Sequence, residues 1–69
     1  MDKTQAKQLL GHRLIVDSDN IQTMREYTLL EISPSNTRVK FSNRTGATFW
    51  CGVEEYSVVE DLGVAKAGE

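Results

Sequence analysis

The chain has 69 residues, eight basic and ten acidic side chains for a formal charge of −2, one cysteine and one histidine. That is room for one domain. It excludes an intrachain disulfide and a Cys/His metal cluster, a membrane-spanning apolar run, and the strongly basic balance of a protein that coats nucleic acid.

A chain this short buries only about 60% of the surface its unfolded form exposes, so the fold depends on efficient packing or on a partner. The start, Met1-Asp2-Lys3-Thr4-Gln5, is polar and lacks a signal-peptide core. With a single thiol, the expected setting is a reducing cytoplasm, away from membranes.

Residues 3–10 (KTQAKQLL) are good helix formers and predict a short helical turn or arm, with Leu9 and Leu10 docking on the body and Gly11 ending it. Residues 12–17 (HRLIVD) predict the first strand, with Leu14 and Val16 on one face, and Ser18-Asp19-Asn20 a turn. Residues 24–32 (MREYTLLEI) form the longest β-like run. Both of its faces carry apolar mass, which suits a long bent strand.

Ser33-Pro34-Ser35-Asn36 is a turn, because Pro34 fixes φ and Asn36 tolerates the left-handed region. Residues 37–42 (TRVKFS) alternate, with Val39 and Phe41 inward and Arg38, Lys40 and Ser42 outward. Asn43-Arg44-Thr45-Gly46 closes a hairpin with a bulge at Gly46. That register sets Asn43 opposite Ala47, Phe41 opposite Phe49, Val39 opposite Cys51 and Lys40 opposite Trp50. A two-residue loop would pair Trp50 with Val39 instead. The bulged register is preferred because it gathers the apolar residues on one side.

Residues 53–56 (VEEY) predict a tight helical turn and 57–61 (SVVED) a last strand, with Leu62 closing the core. The expected fold is all-β: a small five-stranded SH3-like barrel over residues 12–62, a helical arm over 1–11 and a frayed tail over 63–69.

The stretch EYTLLEISPSNTRVKFSN, followed by FWCGVEEYSVVEDL, resembles small uncharacterised phage and prophage proteins, most specifically in the Ser33-Pro34-Ser35 turn. The likeness spans roughly residues 10–62, and Asn36 stands where glycine is commoner in that group. It implies a barrel of viral or prophage origin and supplies no catalytic residue.

Few residues suggest chemistry. His12 lacks an obvious partner for base or ligand work and reads as a surface or edge-strand residue. Cys51 shares the inward face with Val39 and Phe41 and reads as a buried, inert thiol. Glu54-Glu55 and Glu60-Asp61 are neighbours whose side chains diverge, so they read as a solvated acidic edge. Asn43-Arg44-Thr45 matches a glycosylation sequon, and with no secretion signal expected it reads as a chance match. The expectation is a protein without enzymatic activity, cofactor or metal.

From Ile32 to Val53 the charges are Arg38, Lys40 and Arg44 only. From Glu54 to Asp61 they are all acidic. Arg38, Lys40, Arg44 and Trp50 are the candidate binding residues. The leading expectation is an interaction module that binds a protein partner, or copies of itself, through strands three and four. Nucleic-acid binding by the same face and a structural role in a virion are the alternatives. Trp50 has two possible placements: on the outer face beside Lys40, or tucked into the barrel.

Overall fold

A computed structural model describes residues 1–18 and 24–64. The order is α1 (Lys3–Gln8), β1 (His12–Ser18), β2 (Met24–Ile32), β3 (Arg38–Ser42), β4 (Thr48–Gly52) and β5 (Tyr56–Val64). The strands form one antiparallel sheet in the order β4-β3-β2-β1-β5. The chain is therefore all-β apart from its short helix. Among the described residues no ladder joins β4 to β5, so the sheet is not closed by hydrogen bonds. Of the expected Ser18-Asp19-Asn20 turn, Ser18 is the last residue of β1, and Asp19 and Asn20, like residues 65–69 of the tail, lie outside the described residues.

The helix forms because its ends are satisfied locally. The Asp2 carboxylate accepts from the Gln5 N–H at 2.8 Å, and the Leu9 N–H returns to the Gln5 and Ala6 carbonyls. Gly11, at φ +81°, turns the chain into β1 while its N–H donates to the Leu29 carbonyl at 2.8 Å. A helix of this length depends on its packing. Ala6 and Leu9 are buried against the sheet, whereas Leu10, expected to dock, is exposed.

The turns predicted at Ser33–Asn36 and Asn43–Gly46 form by the predicted chemistry. Asn36 sits at φ +60°, and its N–H closes the turn onto the Ser33 carbonyl at 2.9 Å. In the β3–β4 hairpin the Asn43 N–H donates to the Ala47 carbonyl, and Gly46 takes φ +90°. The Asn43 carboxamide oxygen accepts from the Thr45 N–H, the Thr45 hydroxyl and the Ala47 N–H. The sequon-like Asn43-Arg44-Thr45 is thus turn chemistry. The register is the bulged one: Phe41↔Phe49, Lys40↔Trp50 and Val39↔Cys51.

Three irregularities curl the sheet. In β2 the register slips between Leu29 and Glu31, so Leu30 is an extra residue. The slip reverses the alternation, which lets Leu29 and Ile32 both turn towards the core while Leu30 is exposed. In β5 the register against β1 slips twice, between the partners of Ile15 and Val16 and between those of His12 and Leu14. The first leaves Val59 extra, and the second coincides with Gly63 at φ +92°. This second slip turns Leu62 outward, at 43% exposure. Leu62 therefore does not close the core, contrary to expectation. β5 also starts at Tyr56 and continues to Val64, beyond the expected limits of 57–61.

The core is closed by aromatic rings. Leu14, Val16, Leu29, Val39 and Phe41 are fully buried. Over them Tyr27 from β2 meets Phe49 from β4 at 5.0 Å and Tyr56 from β5 at 5.9 Å between ring centres. Phe41 lies 6.0 Å from Phe49 and 5.7 Å from Tyr56. The two edge strands thus share one cluster without sharing a ladder.

Phe41→Ala is expected to cost about 3–5 kcal/mol, enough to unfold much of a domain this small. Leu62→Ala is expected to shift stability by less than about 0.5 kcal/mol. Urea denaturation of both variants checks the assignment; comparable losses would put Leu62 back in the core.

Candidate functional site

β3 alternates between Val39 and Phe41, both buried, and Arg38, Lys40 and Ser42 on the other side. β4 continues the pattern with Cys51 buried and Trp50 at 44% exposure. Trp50 therefore stands on the outer face. Its ring lies 6.0 Å from the Lys40 ammonium, within reach of a cation–π contact worth about 0.5–1 kcal/mol at an exposed site.

The same row extends onto β2. Glu31 is paired with Lys40 across β2 and β3, and its carboxylate lies 3.4 Å from the Lys40 Nζ. Glu31, Lys40 and Trp50 form a line across three strands. Arg38 lies on this face one pair along, opposite Gly52, which has no side chain to screen it from the β4 edge.

The backbone of β4 is open on its far side. The Asn43–Ala47 bond marks one hydrogen-bonded pair of the ladder. Alternation then makes Phe41–Phe49 and Val39–Cys51 bonded pairs as well, and aims the N–H and C=O groups of Thr48 and Trp50 away from β3. Gly52, the next such residue, is occupied: its N–H donates to the Glu55 carboxylate at 2.8 Å, and its carbonyl accepts from the Glu55 N–H. This tight turn replaces the helical turn expected at 53–56, and the Val53 N–H ties it to the Thr37 carbonyl.

Arg44 is not gathered with the other three. It projects from the hairpin tip at 83% exposure, its Nε 3.9 Å from Glu26, whose carboxylate also accepts from Arg13 at 3.0 Å. These three side chains line a shallow groove of about 530 Å³ whose other wall carries Leu62 and Val64. None of Arg38, Lys40 and Trp50 lines it. The ion-pair partners Glu26 and Glu31 precede the acid-free stretch in sequence. The Ser33–Asn36 turn was the signal that β2 folds back on β3 and brings Glu31 to Lys40.

His12 has a partner that the sequence does not suggest. Its Nδ1 lies 2.9 Å from the Asp61 carboxylate on β5. Asp61 also accepts from the Gly63 N–H at 2.8 Å, and this bond, followed by the one to His12, holds its carboxyl below the usual value. Asp61 and Glu60 lie opposite Leu14 and Ile15 of β1. Among the described residues no three His, Cys, Asp or Glu side chains converge as a metal site requires. No helix among the described residues is long and apolar enough to cross a membrane.

Cys51 is 7% exposed, and burial, reinforced by the nearby Glu55 carboxylate, raises its thiol from 9.0 to about 11. Such a thiol stays protonated and unreactive at neutral pH. Comparison of the chain with protein-family models, with curated proteins and with solved structures finds no match.

The raised thiol pKa carries a sign. Above pH 9 the unfolded chain releases this proton while the folded chain keeps it, so stability falls as pH rises from 9.0 towards about 11. Cys51→Ala is expected to flatten that part of a stability-versus-pH curve measured in urea. At neutral pH, a disulfide reagent is expected to label wild-type Cys51 only at the rate of unfolding. Immediate labelling in native buffer would contradict its burial.

Proposed function

We propose that this chain is a small protein-interaction module that accepts an extended protein segment along the open edge of β4. Trp50 is the anchor, with Arg38 and Lys40 beside it, and Arg44 stands apart from this row with Glu26. The observation that carries this reading is a half-exposed tryptophan on an edge strand whose Thr48 and Trp50 backbone groups face outward. An added strand would satisfy those groups, while the side-chain row supplies selectivity. Tryptophan and arginine are also the residues on which binding energy most often concentrates.

We also read the sheet as an SH3-like barrel whose wall is completed by side chains. Support comes from β5 beside β1, a long β2 bent at Leu30, and a single tight turn between β4 and β5. The likeness of the Ser33-Pro34-Ser35 stretch to phage and prophage proteins supports an origin of that kind. We assign the module no enzymatic role.

Nucleic-acid binding is the second reading, favoured by the Trp50–Lys40 pair, since exposed rings beside cations stack on bases. It ranks lower because the Lys40 ammonium is already held by Glu31 and the chain carries a net charge of −2.

Peptides selected from a random display library against the whole chain are expected to lose at least about tenfold in affinity (roughly 1.4 kcal/mol) for Trp50→Ala, with its circular dichroism and unfolding midpoint close to wild type. Undiminished binding would remove Trp50 from the site. Oligonucleotides added at low salt are expected to leave the amide spectrum unmoved. Salt-reversed shifts confined to residues 38–50 would favour the second reading.

A further inference from the structure

Among the described residues the sheet has two unpaired edges, β4 at one end and β5 at the other. Natural edge strands are usually guarded by charges, prolines or bulges. β4 has none of these: Thr48–Gly52 is uncharged, contains no proline and keeps an unbroken register with β3. β5 is bulged but bears Val59, Leu62 and Val64, all exposed. Two edges left this apolar on one small domain call for cover.

Charge tells the edges apart. The β3–β4 hairpin contributes Arg38, Lys40 and Arg44 and no acid. The segment from Gly52 to Val64 contributes Glu54, Glu55, Glu60 and Asp61 and no base. Several of these are engaged within the chain: Lys40 with Glu31, Glu55 with Gly52, Asp61 with His12 and Gly63. Among the described residues Arg38 and Glu60 are ion-paired with nothing, and both are exposed. A symmetric pairing of two β4 edges would bring together the cations that β3 and the hairpin tip carry behind them, and one of two β5 edges would oppose Glu60 and Asp61 in both copies. Only the unlike pairing sets base against acid.

We propose that the segment received by β4 is the β5 edge of a second copy of this chain. This rests on the reading of β4 as a binding edge and names its occupant. The contact is head-to-tail, so each copy offers its own β5 to the next. Repetition gives a ring if the rotation closes and a filament if it does not. Trp50 lies at the seam, and Arg38 meets Glu60 across it.

Sedimentation velocity of the whole chain, from micromolar to millimolar concentration, tests the proposal. Species larger than a dimer are expected at low ionic strength, and rising salt should dissociate them. Arg38→Glu and Glu60→Lys should each weaken assembly about tenfold or more, while circular dichroism and thermal unfolding stay close to wild type. Mixing the two variants should restore assembly. The acid introduced at position 38 on β3 of one, opposite Gly52 of its β4, then faces the base introduced on β5 of the other at one seam, and the native pair forms at the next.

A wild-type chain that stays monomeric at millimolar concentration overturns the proposal. So does assembly of Glu60→Lys alone, which a symmetric β4 contact would allow, and so does a mixture that stays monomeric. If the chain is monomeric but its selected peptides still require Trp50, the second copy is the wrong occupant and β4 remains the binding edge. If Trp50→Ala also leaves peptide binding intact, β4 itself is the wrong edge.

Discussion

The structure depends on four rings. Tyr27, Phe41, Phe49 and Tyr56 come from four different strands, and their mutual contacts hold together a sheet whose ends are not hydrogen-bonded among the described residues. Aromatic rings are among the largest apolar groups a core can bury; Phe41 is fully buried, and Tyr27, Phe49 and Tyr56 are partly buried around it. A domain with no disulfide and no metal cluster among its described residues needs that contribution. The bulge at Leu30 and the slips in β5 bend the sheet far enough for its two ends to approach the same cluster. The short helix then covers the remaining apolar surface with Ala6 and Leu9.

Much of this was legible in the sequence where the deciding chemistry is local. Pro34 and Asn36 specify their turn, and Asn43 and Gly46 specify theirs. Once the hairpin turn is known, the period of two fixes every pair from Ser42–Thr48 to Arg38–Gly52. The same reasoning put Cys51 inside and Trp50 opposite Lys40, although it left open which way Trp50 faces. What escaped depends on partners distant in sequence. Leu62 looks like a core residue until β1 imposes its register on β5 and Gly63 takes up the extra residue. His12 looks alone because Asp61 is 49 residues away.

The candidate site was half legible for the same reason. The absence of acids between Ile32 and Val53 suggested a freely cationic face. Folding brings Glu31 and Glu26 in from β2, so Lys40 and Arg44 have carboxylates nearby. Surface ion pairs contribute only about 0–1 kcal/mol, so these contacts do little for the fold. Their effect is to leave Arg38 as the least neutralised cation near Trp50. The groups on this face that remain uncommitted within the chain are therefore an aromatic ring, one guanidinium and a row of backbone groups.

The separation between the rings that build the core and the one ring left outside has an optical corollary. Trp50 is the chain's only tryptophan, and it takes no part in the cluster formed by the tyrosines and phenylalanines. Its emission answers to whatever touches the sheet's edge, while near-ultraviolet dichroism from Tyr27 and Tyr56 answers to the packing inside. The molecule thus carries two kinds of reporter, a tryptophan at its surface and tyrosines in its interior. A change in one without the other tells occupancy from unfolding without any added label.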